Sequence, residues 1–302
     1  MQQPDAQKAE ALYVASLASG AADTDWSNAV VASRKRVLNA LRASDHLRDI
    51  ETALKAAGEH LTVFRHMFGP PLSQDQFALI CPAYRKSCEK TRKRVGGKAV
   101  SEVSAAISLL LDPKITPWLR QSRRPRAREI RHLVATVAPM LSLQVVATLR
   151  RNRLSLAQET AVIDLLTAIG WTRLSSGLVN QSAALPARHF MHKTRFATQT
   201  RPQEVDIALG LGTSVVLAME CKVTNDRTNS VKRVNDILKK ATAWQLHWGS
   251  FVRTAALLQG VIAEKDVQRL LAANVEVFWS HDLARFRAWL AEYSAASPPS
   301  GS

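Results

Sequence analysis

The spacing of apolar residues changes midway along this 302-residue chain, and that change limits the fold more than any single motif does. Through residues 1–150 they recur at intervals of three and four, as in "WSNAVVASRKRVLNALRAS" and "HLRDIETALKAAGEHLTVFRHMF", which is the repeat of amphipathic helices. "GPPLSQDQF" interrupts the series and offers Ser73 as the N-cap of a following helix. From Leu154 the texture differs. "SLAQETAVIDLLTAIGW" is an amphipathic helix ending at Gly170, and "WTRLSSGLV", "EVDIALGL", "VVLAMECKV" and "RTAALLQGVI" read as strands. The basic helix "TNSVKRVNDILKKATAWQLHW" separates the last two, and a helix near "EKDVQRLLAAN", a strand "VEVFW" and a helix "HDLARFRAWLAEY" follow. The expected fold is a mixed α/β chain: a mainly helical region over 1–150, an α-β-β-β-α-β-α-β-α region over 151–293, and a disordered tail over 294–302.

A formal net charge of +16 produces self-repulsion that an acidic partner offsets, and nucleic acid is the leading partner of that kind. The excess is not confined to one tail, since residues 1–150 hold 23 Lys/Arg against 13 Asp/Glu and residues 151–302 hold 18 against 12. The densest positive stretch, "RQSRRPRAREIRHL", places Arg120, Arg123, Arg124, Arg126, Arg128 and Arg131 within twelve residues. It reads either as a solvated loop entering a helix or as a phosphate-contacting segment, with Arg123, Arg124, Arg126 and Arg128 the candidates. The three cysteines, Cys81, Cys88 and Cys221, form no CxxC pair, which fits a reducing compartment and speaks against a disulfide frame or a structural zinc site. The first residues show no signal-peptide pattern, and the segment Leu133–Leu149 is interrupted by Pro139, Ser142 and Gln144 and is short for a membrane span. A buried helix pair and a cytoplasmic, membrane-free protein are expected.

"VVLAMECKV" sets Glu220 and Lys222 two positions apart in an otherwise apolar strand, so both side chains leave the same face. Desolvating such a pair costs about as much as its attraction returns, so stability alone is a weak reason for it. Fourteen residues earlier lies Asp206, and the glycines of "GLGTS" suggest a hairpin that carries it toward Glu220. Two carboxylates beside a lysine suit metal-assisted phosphodiester hydrolysis: Mg²⁺ takes oxygen ligands from one or two carboxylates and substrate phosphate. Asp206 and Glu220 are the candidate ligands, with the Cys221 backbone carbonyl a third and its thiol facing away. Lys222 would position the attacking water and stabilise charge on the phosphate. The incidental alternative is an edge-strand ion pair. A second acid-x-Lys triplet, Asp112-Pro113-Lys114, has proline at its centre and lies in helical surroundings, with no strand to align it.

The Asp…Glu-x-Lys arrangement and its element order resemble the PD-(D/E)xK nuclease superfamily. The stretches "SQDQFALICPAYRKSCEK", "DPKITPWLRQSRRP", "ECKVTNDRTNSVKRVND" and "VFWSHDL" are similar to type II restriction endonucleases of the XamI kind, over about Ser73 to Leu283. The resemblance implies a restriction-endonuclease-like α-β-β-β-α-β core with a central mixed sheet. It also implies a Mg²⁺-dependent enzyme that cuts double-stranded DNA at a short site, leaves 5′-phosphate and 3′-hydroxyl ends, acts as a homodimer and is partnered by a protective DNA methyltransferase. Val205 stands where that superfamily often has proline, a small departure because the position does no chemistry. A helix ahead of the first strand often adds an acid there, and Glu159 matches by position; its other reading is an acid complementing a helix dipole. The rivals are a structure-directed repair or recombination nuclease on the same core and a non-catalytic DNA-binding protein.

Further DNA contacts are expected from the basic loop "FMHKTRFATQTR", through His192, Lys193 and Arg195, and from Arg227, Asn229, Ser230, Lys232 and Arg233 after the Glu-x-Lys strand, since Asn and Arg read adenine and guanine edges. A solvated helix face is the plain alternative for each residue of the second group, and Lys239 and Lys240 are weaker candidates there. His189 and His192 lack the remaining ligands of a zinc site. Trp244, Trp248 and Trp279 occupy apolar positions and are expected in the core.

Overall fold

The structure is a computed structural model that describes residues 3–17, 21–90, 93–212 and 214–295. The expected tail at 294–302 lies, from residue 296 on, outside the described residues. Two compact units divide the chain, one joining Met1–Ser19 to Arg150–Ser302 and the other being Gly20–Leu149. The N-terminal residues therefore cluster with the C-terminal half, which their helical spacing did not reveal. Helix α1 (Gln3–Leu17) belongs with that half, and Ala6 and Ala9 pack among its buried residues.

The other unit is helical. It contains α2 (Ala21–Ala43), α3 (Ile50–Ala56), α4 (His60–Arg65), α5 (Gln74–Ile80), α6 (Lys98–Leu110) and α7 (Pro117–Arg120), and the first part of α8 (Ala127–Ala168). Ser73 caps α5 as expected: its hydroxyl accepts from Gln76 N at 3.1 Å, and the Gln76 side chain accepts from Ser73 N at 2.9 Å, a reciprocal capping box. Phe64, Phe77, Met67, Ile107 and Trp118 fill the core, and the Trp118 indole donates to the His46 carbonyl at 2.9 Å. A buried carboxylate organises the stretch from α4 to Lys90. Glu89 accepts from Arg65 Nε (2.9 Å) and Nη2 (3.1 Å), Thr62 Oγ1 (3.0 Å), Gln74 Nε2 (2.8 Å) and Tyr84 Oη (2.6 Å).

One expectation is corrected here. Leu133–Leu149 and "SLAQETAVIDLLTAIGW" are not separate helices but parts of the single 42-residue α8, with Pro139 inside it. By length and composition alone α8 is long and apolar enough to cross a membrane. Leu133, Val137 and Leu141 are instead in one core and Val162 and Leu166 in the other, as in the core helices of a folded protein.

In the unit that joins Met1–Ser19 to Arg150–Ser302, β1 (Thr172–Arg173), β2 (Leu178–Val179), β3 (His189–Phe196), β4 (Gln203–Gly212), β5 (Val215–Thr224), β6 (Val252–Gly260) and β7 (Val275–Trp279) form one sheet in the order β1-β3-β4-β5-β6-β7, with β2 also on β3. β3, β4 and β5 are antiparallel neighbours, and β5, β6 and β7 are parallel. Parallel neighbours need crossovers. α9 (Arg227–Trp248) and α10 (Glu264–Ala272) supply them, and α11 (Leu283–Ala295) follows β7. The sheet is a middle layer: Met219, Leu257 and Phe278 pack with Val162 of α8 and Phe286 of α11, while Ala256 and Val277 pack with Ile237 of α9 and Leu270 of α10. Trp244, Trp248 and Trp279 are buried, as expected of core residues. The strand "WTRLSSGLV" is two short pieces, and the basic loop "FMHKTRF" is not a loop but the strand β3.

The β4–β5 hairpin shifts register between Gly210 and Gly212. A Cβ on Gly210 would lie 2.0 Å from the Pro186 carbonyl oxygen and 2.3 Å from that of Leu185. Backbone atoms cannot rotate away as a side chain can, so Gly210→Ala should lower stability by about 1–3 kcal/mol, the usual cost of overpacking, measured as a reduced urea midpoint.

Candidate active site

The β4–β5 ladder ends at Ile207 opposite Met219, while β5 stays paired with β6 as far as Thr224 opposite Gly260. β4 and β5 thus part at Asp206 and Glu220. Across the gap the Asp206 side chain takes over the role of ladder acceptor, its Oδ2 receiving the Cys221 N–H at 2.8 Å. Strand alternation sends Met219 and Cys221 into the core shared with α8, and leaves Glu220 on the opposite face with no solvent exposure.

An alternating chain of acids and lysines runs through this point. Lys222 Nζ is 2.6 Å from Glu220 Oε2, 3.6 Å from Asp206 Oδ2 and 3.7 Å from Asp236 Oδ2. Lys240, from α9, donates to both Glu220 oxygens at 2.9 Å and to the Glu204 carbonyl at 3.0 Å. Lys193 Nζ bridges Asp206 Oδ1 at 2.6 Å and Glu159 Oε1 at 2.7 Å. Glu159, from α8, also meets His192 Nε2 at 2.7 Å and Ser155 Oγ at 3.3 Å.

These neighbours set the protonation states. Burial pushes the Asp206 carboxyl upward, but Lys222, Lys193 and the Cys221 N–H outweigh it and hold Asp206 below the usual aspartate value. At Glu220 burial dominates and the Asp206 charge adds to it, so its carboxyl is raised despite Lys222 and Lys240. Burial works against the Lys222 charge, yet Glu220 and Asp206 raise its pKa, which makes Lys222 a fixed cation. The Cys221 thiol is pushed up by burial and by the surrounding carboxylates.

Do these residues suit a hard divalent ion? The donors are carboxylate oxygens, the ligand type that Mg²⁺ prefers. One ammonium, that of Lys193, already brings Glu159 and Asp206 onto a single cation, although they come from a helix and a strand. Glu220 is turned toward Lys222 and Lys240. In kind the acids fit such an ion, and Glu159 and Asp206 already converge on one cation, while among the described residues no three His, Cys, Asp or Glu side chains form a ready-made metal cluster.

Asp206, Glu220, Lys222 and Glu159 therefore lie in one network. Ser230 is corrected: it is buried, and its hydroxyl donates to Asp266 Oδ2 at 2.9 Å, so it faces no DNA. His192 and Lys193 both engage Glu159 on the strand β3. Arg195 is exposed on β3, Arg227, Asn229 and Lys232 are exposed on α9, and Arg233 is half-buried. In the helical unit Arg124, Arg126 and Arg128 are exposed, whereas Arg123 is engaged with Glu129, 2.8 Å from its Oε2. That pairing and the Arg126 N–H lower the Glu129 carboxyl to about 2. The decoy Asp112 closes a local turn, its Oδ1 accepting the Lys114 N–H at 2.8 Å. Sequence reasoning named Lys240 only as a weaker candidate for DNA contact and did not bring it to the acids. Its signal was position, because it follows Ile237 by three residues and precedes Ala241 on the buried side of α9.

A family model described as "XamI restriction endonuclease" matches residues 45–279. The chain is 30% identical over 188 residues to the type II restriction enzyme XamI of Xanthomonas campestris pv. amaranthicola, a match covering 62% of this chain and 66% of that enzyme, just short of two thirds of its length. Among solved structures, that of protein VC1899 from Vibrio cholerae aligns over 92% of this chain and 57% of its own, with 11% identity and a TM-score of 0.32.

Proposed function

Because the chain belongs to the XamI restriction endonuclease family, we propose that it is a type II site-specific endonuclease that hydrolyses double-stranded DNA with Mg²⁺ and leaves 5′-phosphate and 3′-hydroxyl ends. One observation supports this most strongly: Lys222 is within ion-pair distance of both Asp206 and Glu220 where β4 and β5 part. A DNA-binding protein without chemistry has no use for buried acids that repel phosphate.

Asp206, Glu220 and Glu159, with the Cys221 carbonyl oxygen, would hold Mg²⁺, which when bound supplies Lewis-acid polarisation of the phosphate and a more acidic attacking water. Lys222 contributes fixed positive charge beside the phosphate oxygens that gain charge in the transition state. Lys240 holds Glu220 by both oxygens and opposes its tendency to take up a proton. Arg195, Arg227, Lys232 and Arg233, with Arg124, Arg126 and Arg128 of the helical unit, contact phosphates, and Asn229 reads a base edge once its amide leaves Asp226. Two copies acting as a dimer suit a palindromic site. A methyltransferase of the same specificity would protect the host DNA in the cytoplasm.

Incubating the purified protein with long double-stranded DNA and Mg²⁺, then sequencing the product ends, tests the reading. Discrete fragments with common ends are expected. A smear would favour a structure-directed repair nuclease instead, and no Mg²⁺-dependent product across varied sequences would leave a DNA-binding protein.

A further inference from the structure

We infer that Lys193 competes with the divalent ion for the point between Glu159 and Asp206, so that its ammonium must swing out before the ion binds there. The inference rests on the reading of those two acids as ion ligands, and adds to it a role for a residue outside the Asp…Glu-x-Lys pattern. Lys193 Nζ lies 2.7 Å from Glu159 Oε1 and 2.6 Å from Asp206 Oδ1, so both carboxylates meet at this one ammonium. Any cation shared by the two acids has to displace it.

The strand is built to make this contact. In a regular strand His192 and Lys193 would point to opposite faces. The β3–β4 ladder instead pairs His192 with Ile207 and Thr194 with Val205, leaving Lys193 and Asp206 unmatched. Lys193 there has φ +52°, in the left-handed region that non-glycine residues seldom occupy. This irregularity turns two successive side chains onto Glu159, with His192 Nε2 on Oε2 and Lys193 Nζ on Oε1. A non-glycine residue held in this region signals a local constraint that tends to mark functional positions.

Exposure distinguishes Lys193 from the other two lysines. The side chains of Lys222 and Lys240 are 13% and 17% exposed and fixed on buried Glu220, whereas that of Lys193 is 53% exposed. Its stem can therefore rotate into solvent without opening the core. A divalent ion brings two charges to these acids where the ammonium brings one, and it accepts more oxygen ligands. Once released, the ammonium stands beside the acids, where an incoming DNA phosphate can pair with it.

The probe is Mn²⁺ added to the full-length protein without DNA, with the unbound ion followed by electron paramagnetic resonance. Lys193→Met keeps the stem and removes the charge, and should bind Mn²⁺ at least about tenfold more tightly than wild type, since an adjacent unit charge at a few ångströms carries that much interaction. Asp206→Asn should abolish that site in either background. Wild type alone supplies an independent measurement if the variant does not fold: saturating Mn²⁺ should increase reductive methylation of Lys193, read by mass spectrometry, several-fold. Asp206-dependent Mn²⁺ binding that is unchanged or weakened by Lys193→Met, or methylation that Mn²⁺ leaves unchanged, overturns the competition and leaves the ion-binding reading standing. Absence of any Asp206-dependent Mn²⁺ site overturns both.

Discussion

Lys222→Ala should lower single-turnover cleavage of cognate DNA by about a hundred- to a thousandfold, the scale seen when a preorganised donor at a developing oxyanion is lost. DNA affinity, measured by gel shift with Ca²⁺ in place of Mg²⁺, should stay within a few-fold, because one cation is removed from a chain of net charge +16. Lys222 is the only side chain within ion-pair distance of both Asp206 and Glu220 among the described residues. Its removal leaves Glu220, which has no solvent exposure, with Lys240 as its remaining ammonium, and takes one of two ammoniums from Asp206. Both consequences bear on the chemistry proposed for this site. A variant that still cuts within tenfold of wild type would sink the role assigned to Lys222.

Glu89→Ala should destabilise the helical unit by about 3–5 kcal/mol, the cost of breaking a buried ion pair from one side. The Arg65 and Glu89 side chains are 7% and 5% exposed, so alanine strands a guanidinium away from water. It also removes the acceptor of Thr62, Gln74 and Tyr84. Burial pushes the Glu89 carboxyl up, but Arg65, Tyr84 and Gln74 prevail and its folded pKa lies below the ordinary glutamate value of 4.5. A depressed carboxyl contributes stability above its unfolded pKa and loses it as the pH falls through the folded one. Urea unfolding should therefore show a large gap between wild type and Glu89→Ala at pH 7, narrowing below pH 4.5. A difference under about 1 kcal/mol at pH 7 would show that the carboxylate is dispensable.

The strands that hold the acids were legible in the sequence because β4 and β5 are continuous apolar runs in which Asp206, Glu220 and Lys222 stand out. Glu159 was legible by position, in the helix that enters the sheet unit. β3 was not. Its pattern "HFMHKTRF" buries Phe190 and Met191 in succession and breaks alternation at Lys193, so the period of two that betrays a strand is missing. α8 was read as separate helices because Pro139 looked like a stop, yet the chain continues helically through it. Ser230 looked like any polar residue among basic neighbours. Only its spacing with Val234 and Ile237 places it on the buried face of α9, where it meets Asp266 from a distant segment.

Asp206 is also the end-stop of a hairpin. Where β4 and β5 separate, its carboxylate, rather than a backbone carbonyl, receives the Cys221 N–H. The hairpin terminus and the proposed chemistry thus share one carboxylate, and alanine at this position would confound them, undoing the terminus together with any chemistry. Asparagine keeps a carbonyl oxygen for the amide and discards only the charge. In this chain the isosteric change, and not truncation, isolates what the acid does from where it holds the strands.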